Sequence, residues 1–262
     1  MSANNTIKRV VVKVGSAVLT ENSKIALARL QSLVIFLVEL KKHYEVILVS
    51  SGAVSAGYTK LKLDRSILKN KQALAAIGQP ILMKHYAREF YVHNVTSAQV
   101  LVTSANLNRD DEIQRIKDTI ETLLENGVVP IVNENDATST AELEVGDNDQ
   151  LSAYITNYID ADMLIILSDI DAYYDGDPRQ DTNAKVLKYV HHIPKEELLR
   201  VPTPNNVFAT GGIVTKLKAA SYLMENGKSM FLASGFDLSD VKDFMLKGTH
   251  NGGTFFTTQK DR

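Results

Sequence analysis

The sequence predicts an α/β protein in which a mainly parallel sheet is covered by helices. Short β-branched runs alternate with longer segments of helical period along the chain, the pattern left by parallel strands joined through helical crossovers. Several of the short runs are apolar at every position, as strands buried on both faces are. With 262 residues, 44% hydrophobic and 23% charged, the chain has ordinary globular composition and is long enough for one large core or two lobes.

The expected strands are residues 7–14, 45–49, 95–102, 128–132, 162–167 and 229–233. Leu27, Leu30, Val34, Leu37 and Val38 form one helical stripe, and Ile113, Ile116, Ile120, Leu123 and Leu124 form another. The helical stretch 66–92 contains Gly78 and Pro80, so a kink or break is expected there. Asn126-Gly127 and Asn226-Gly227 read as helix C-caps. Residues 171–180 are the most turn-rich stretch, 202–212 read as a mobile loop, and 141–145 are candidates for a hairpin beside 133–137. A soft division falls near residue 160, between an N-terminal lobe of about 1–160 and a C-terminal lobe of about 161–262.

Composition removes several classes of function. Twenty-nine Lys and Arg against 31 Asp and Glu give a net charge of -2, which argues against a strongly basic nucleic-acid binder. The chain has no cysteine, so disulfides, cysteine nucleophiles and thiolate metal sites are excluded. The N-terminal region has no signal-peptide core, and no apolar run approaches the roughly 18 residues of a membrane span. A cytoplasmic protein with no membrane partner is expected.

Six turns carry candidate chemistry. In Val12-Lys13-Val14-Gly15-Ser16, a lysine ends an apolar strand at a Gly-Ser turn, where backbone N–H groups and a point charge suit an anion. The plainer alternative is a strand-end lysine reaching solvent. In Ser51-Gly52-Ala53 a buried strand enters a small-residue turn, either a carboxylate cradle or close helix-to-strand packing. Gly52 and Gly57 have P-loop spacing, but Tyr58-Thr59 stand where Lys-Ser/Thr is needed. No GxGxxG begins at Gly15 or Gly52, so a dinucleotide fingerprint is missing too. Asn133-Glu134-Asn135-Asp136 and Gly146-Asp147-Asn148-Asp149 are dense in amides and carboxylates. The second opens a helix marked by Leu151, Tyr154, Ile155 and Tyr158, where Asp and Asn are ordinary caps. Ser168-Asp169 end an apolar strand, the place where open α/β sheets hold ligands. The acids that follow lack EF-hand spacing. Last, Thr210-Gly211-Gly212-Ile213-Val214-Thr215-Lys216 opens a helix whose face is Ile213, Leu217, Ala220 and Met224. Glycines permit close approach to phosphate, and a solvated surface lysine is the alternative reading of Lys216.

Each turn alone is weak. All six in this order resemble the amino acid kinase family, and within it the branch that phosphorylates L-glutamate at the entry to proline biosynthesis. The resemblance runs from Lys13 to about Thr257. It implies a single-domain, three-layer α/β/α sandwich about an open, mainly parallel sheet, with the amino acid on the N-terminal lobe and ATP on the C-terminal lobe. It implies that Lys13 and Lys216 neutralise the transferring phosphoryl, assisted by the Gly15 and Gly52 amides, and that Asp149 orients the lysines. Ser51, Gly52, Asp136 and Asn148 would hold glutamate. Lys13, Gly15, Ser168, Asp169 and Thr210, Gly211, Gly212, Ile213, Val214, Thr215 and Lys216 would hold ATP. Mg²⁺ would bridge phosphate oxygens and keep several waters, with no protein ligand assigned to it. Homo-oligomeric assembly is expected and nucleic-acid binding is not.

Three departures from the family pattern stand out: Ser16 where Thr is usual, Ser168-Asp169 for Thr-Asp, and Ala209 for a glycine. Many members also carry a C-terminal PUA domain, which this chain is expected to lack. The rival readings are another kinase of the family, acting on aspartate, N-acetylglutamate, carbamate or UMP, and a non-catalytic amino-acid or nucleotide sensor. The two amide-rich turns favour free glutamate over the former. Retention of Lys13, Asp149 and Lys216 together weighs against the latter.

Overall fold

A computed structural model describes residues 8–22, 24–138, 148–178, 181–199 and 212–259. In chain order the elements are β1 (Arg9–Val14), α1 (Ser16–Leu19), β2 (Thr20–Glu21), β3 (Lys24–Ile25), α2 (Leu27–Leu40), β4 (Glu45–Ser50), α3 (Ala53–Tyr58), α4 (Leu68–Val92), β5 (Ser97–Val102), α5 (Asp110–Glu125), β6 (Val129–Glu134), α6 (Asn148–Tyr158), β7 (Met163–Ser168), β8 (Tyr189–Val190), α7 (Lys195–Leu198), α8 (Ile213–Glu225), β9 (Ser229–Ser234), α9 (Ser239–Lys242) and β10 (Thr254–Phe256).

Eight strands form one open sheet in the order β5-β6-β4-β1-β7-β9-β10-β8, and β2 and β3 make a separate small hairpin. Every pairing in the large sheet is parallel except β9 with β10. All six expected strands are present. The short β8 and β10 were not anticipated, because two or three residues are too few to show a period. One sheet serves both halves of the chain, since β1 pairs with β4 on one side and β7 on the other.

Strand alternation sorts the core into two layers. Val10, Val12 and Val14 of β1 pack with α2 and the C-terminal half of α4, through Leu30, Val34, Leu37, Leu82, Tyr86 and Phe90. Val11 packs on the other face with Ile120 of α5, Leu151 and Ile155 of α6, and Leu217 and Leu223 of α8. Side chains two apart share a face, so Lys13 lies on the α6 and α8 side with Val11. The sequence pattern alone thus delivers a lysine to the helix layer where the second half of the site stands.

The break expected at Gly78 and Pro80 does not occur. Helix α4 runs unbroken for 25 residues with Pro80 inside it. Its contact with α3 supplies the reason for glycine there: a Cβ on Gly78 would lie 1.8 Å from the carbonyl oxygen of Ala53, and one on Gly57 would lie 1.9 Å from that of Leu74. Gly78 is thus a crossing point for two helices. Both expected C-caps are found, with Gly127 at φ 71° and Gly227 at φ 70°, the left-handed conformation that closes a helix.

Candidate functional site

The C-terminal ends of β1, β4, β6 and β7 lie along one edge of the sheet, and the first turns of α6 and α8 come to the same edge. Asp149, in the first turn of α6, is fully buried. Its Oδ1 lies 2.6 Å from Lys13 Nζ and its Oδ2 lies 3.1 Å from Lys216 Nζ. Thr215 Oγ1 donates to Oδ2 at 2.8 Å. Both lysines are only 3% exposed, which removes the reading of either as a solvated surface cation. Burial by itself would raise the Asp149 pKa, but the charges of Lys13 and Lys216, with hydrogen bonds from Lys13 and Thr215, outweigh it and hold the carboxyl well below the usual range. Two ammonium groups meet one carboxylate in a place with little water to screen their charges.

A second cluster adjoins the first through Asn148. Its Nδ2 donates to Ser51 Oγ at 2.8 Å, to Asn133 Oδ1 at 3.0 Å and to the Ser50 carbonyl at 3.3 Å. Asn133 Nδ2 donates to Gln79 Oε1 at 2.9 Å, and Gln79 Nε2 donates to Gln99 Oε1 at 3.2 Å. Gly52 sits at the turn into α3 with φ 104°, a left-handed conformation that a β-carbon disfavours. Asp136 lines a cavity of about 200 Å³ with Ala53, Gln79, Gln99, Glu134 and Asn135.

At the end of β7, Ser168 Oγ donates to Asp169 Oδ1 at 2.9 Å and accepts from the Ile170 N–H at 3.3 Å. Ile213 and Val214 open α8 behind Gly212, and Gln150 Nε2 donates to the Thr215 carbonyl at 3.2 Å, tying α6 to α8 beside the lysines. Thr210 and Gly211 lie outside the described residues. So do Gly146, Asp147, Ala209, the 141–145 candidate hairpin and most of the 202–212 loop.

One expectation needs correction. The Gly15 N–H, offered to phosphate by the sequence reading, donates to the Leu167 carbonyl at 3.0 Å, because the chain leaving β1 continues the ladder to β7. A β-carbon at Gly15 would meet Leu167 O at 3.7 Å and Lys13 Nζ at 3.9 Å, both ordinary contacts. What Gly15 gives the site is open space beside the lysine.

The sequence reading assigned no role to Gln79, Gln99 or Gln150, and none to Asn133 beyond that of its turn as a whole. Asn133 lay in a turn already singled out, and the apolar strand running into it was a usable signal. Gln79 and Gln99 carried no such signal, since one glutamine on a helix and another on an edge strand read as surface.

The pattern of the amino acid kinase family matches residues 8–234. The chain belongs to the amino acid kinase family. A curated glutamate 5-kinase of Leishmania donovani is 49% identical over 251 residues, spanning 96% of this chain and 95% of that protein. Another, from Wolinella succinogenes, is 49% identical over 255 residues, spanning 95% and 98%. Among solved structures, the isopentenyl phosphate kinase of T. acidophilum matches with a TM-score of 0.65 at 14% identity, over 95% of this chain and 99% of that one. That likeness carries the fold alone and agrees with the three-layer architecture of this amino acid kinase. Among the described residues no helix is long and apolar enough to cross a membrane.

Proposed function

We propose that this amino acid kinase transfers the γ-phosphoryl group of ATP to the side-chain carboxylate of L-glutamate, giving L-glutamyl 5-phosphate and ADP, the first step of proline biosynthesis. The observation that carries the reading is the buried carboxylate of Asp149 holding Lys13 and Lys216 at once, next in sequence to Asn148 and its polar network. The two close curated relatives named as glutamate 5-kinases support glutamate over aspartate, N-acetylglutamate, carbamate or UMP.

The acceptor carboxylate has a reference pKa of about 4.3 and is already ionised at pH 7, so no general base is needed. The obstacle is bringing an anion to a polyanion, and the site answers it with charge and position. Lys13 reaches the edge from the sheet and Lys216 from the first turn of α8. Asp149 fixes the two ammonium groups against each other's repulsion and aims them at one point. Ser51, Gly52, Asn148 and Asp136 form the glutamate side. Ser168, Asp169 and the segment from Thr210 to Lys216 form the nucleotide side, with Lys13 and Gly15 between the two.

The donor set bears on the metal. Asp149 is saturated by two ammonium groups and a hydroxyl, so the lysine cluster suits a polyphosphate carrying its own Mg²⁺ and does not suit a bare divalent ion. Mg²⁺ bound to the nucleotide supplies further charge neutralisation on the phosphates. The direct experiment is hydroxamate trapping of the acyl phosphate with ATP, Mg²⁺ and a panel of acids. Glutamate-dependent product is expected, and turnover with aspartate or UMP but not glutamate refutes the assignment.

A further inference from the structure

Tyr86, in the C-terminal half of α4, carries a phenol with no exposure to solvent, and Ser50 at the end of β4 is equally buried. Their hydroxyls lie 3.0 Å apart, and a neighbouring acceptor decides which of them donates. Ser50 Oγ donates to the Ser51 carbonyl at 3.0 Å; a carbonyl only accepts, and a serine hydroxyl has one proton to give. The Tyr86 hydroxyl therefore donates to Ser50 Oγ, and Ser50 passes the restraint on to the Ser51–Gly52 peptide. Burial raises the pKa of the phenol above its ordinary value of 10.0, so the donor keeps its proton throughout the neutral range. A phenylalanine would fill the same place in the core, so packing alone does not account for the hydroxyl.

The restrained peptide matters because of the direction it faces. Ser50 shares a strand face with Val46 and Leu48, which pack in the layer of α2 and α4. Drawing the Ser51 carbonyl to that side turns the N–H of the same trans peptide, that of Gly52, the opposite way, toward the layer of Lys13, α6 and α8. The Gly15 N–H is consumed by the Leu167 carbonyl, whereas the Gly52 N–H has no acceptor among the described residues. Of the two glycine amides beside Lys13, that of Gly52 is the one left to give. We infer that Tyr86 is a positioning residue: through Ser50, its hydroxyl holds the Gly52 N–H toward the phosphoryl group as it passes from ATP to the acceptor. This rests on the kinase reading proposed above. A donor aimed in advance costs no reorganisation at the moment of reaction. The latch stands behind the site, since Tyr86 has no exposed surface from which to touch a substrate.

The test compares Tyr86→Phe, Ser50→Ala and the isosteric pair Ser50→Thr and Ser50→Val in the full chain, each checked by thermal unfolding. Coupled ADP release gives kcat and both Michaelis constants with L-glutamate. Tyr86→Phe and Ser50→Ala are each expected to lower kcat about 10-fold, less than the roughly 10²- to 10³-fold of deleting a donor outright, because the Gly52 N–H remains and loses only its fixed direction. KM for ATP and for glutamate should stay within about threefold, as for an interaction made only in the transition state. The double variant should fall no further than Ser50→Ala alone, since the two hydroxyls act in series. Ser50→Thr keeps the hydroxyl and should hold kcat within about threefold of the parent, while Ser50→Val, of the same shape, should not. If Tyr86→Phe fails to fold, the Thr and Val pair decides. Parent-like kcat in folded Tyr86→Phe, equal kcat in the Thr and Val variants, single losses that multiply in the double variant, or a loss carried by KM overturns the inference and leaves the glutamate kinase reading standing. A parent protein that turns over no glutamate overturns both.

Discussion

Replacing Asp149 with Asn changes one oxygen to an amide and tests most of the site at once. In the parent protein the carboxylate meets Lys13 at 2.6 Å, Lys216 at 3.1 Å and Thr215 at 2.8 Å, with no exposed surface of its own. The variant keeps the shape but leaves two buried ammonium groups facing a neutral amide. Removing one partner from a buried ion pair costs about 3–5 kcal/mol. For a chain of this length each kcal/mol moves the midpoint of unfolding by about 2 °C, so a fall of about 6–10 °C is expected. The pH dependence has a definite sign. Asp149 titrates below its ordinary value of 3.8 in the folded protein, so its stabilisation is fully present above that value and is lost as pH falls through the lower, folded-state pKa. The gap between parent and variant should be constant from neutral pH to about 4 and narrow below it. Turnover should fall on the order of 10²-fold, as misplacing charged groups by an ångström does. Calorimetry across pH, with kcat from coupled ADP release, measures both. A variant that melts within a degree of the parent and turns over normally refutes the role given to Asp149.

Lys216→Ala should lower kcat roughly 10²- to 10³-fold, the cost of losing one donor to developing charge, and Lys13→Ala should do likewise; near-normal turnover in either folded variant refutes the mechanism. Asp136→Ala should raise KM for glutamate and leave KM for ATP within about twofold, because Asp136 lines the cavity beside Gln79 and Gln99. Gly78→Ala should destabilise the fold by about 1–3 kcal/mol through overpacking, since its β-carbon would sit 1.8 Å from Ala53 O; unchanged thermal unfolding would show that α3 and α4 separate at little cost.

The strands were legible because their interiors are apolar on both faces, and the observed boundaries fall within two residues of the expected ones. The length of α4 was not, because proline and glycine in a sequence carry only local meaning. Gly78 is required by a helix more than twenty residues upstream, and no local pattern announces that. The same division holds in the site. Lys13 could be placed from strand alternation, and Lys216 from its helix period, where it shares a buried face with Leu217 and Ala220. The Gly15 amide was misjudged because its partner, the Leu167 carbonyl, belongs to a strand about 150 residues away. Gln79 and Gln99 were invisible for the same reason: their meaning lies in a neighbour across the sheet edge.

That dependence on distant partners also explains why one carboxylate serves two lysines. A lysine on a central strand and a lysine on α8 approach from different elements, and each would lose hydration on burial with nothing in return. A carboxylate in the first turn of α6 meets both, is itself kept ionised by them, and gains from the helix N-terminus. The cluster therefore holds two cations in the core at the sheet edge, where the phosphoryl group moves toward a carboxylate. A site with no acid would not hold the lysines in the core at all.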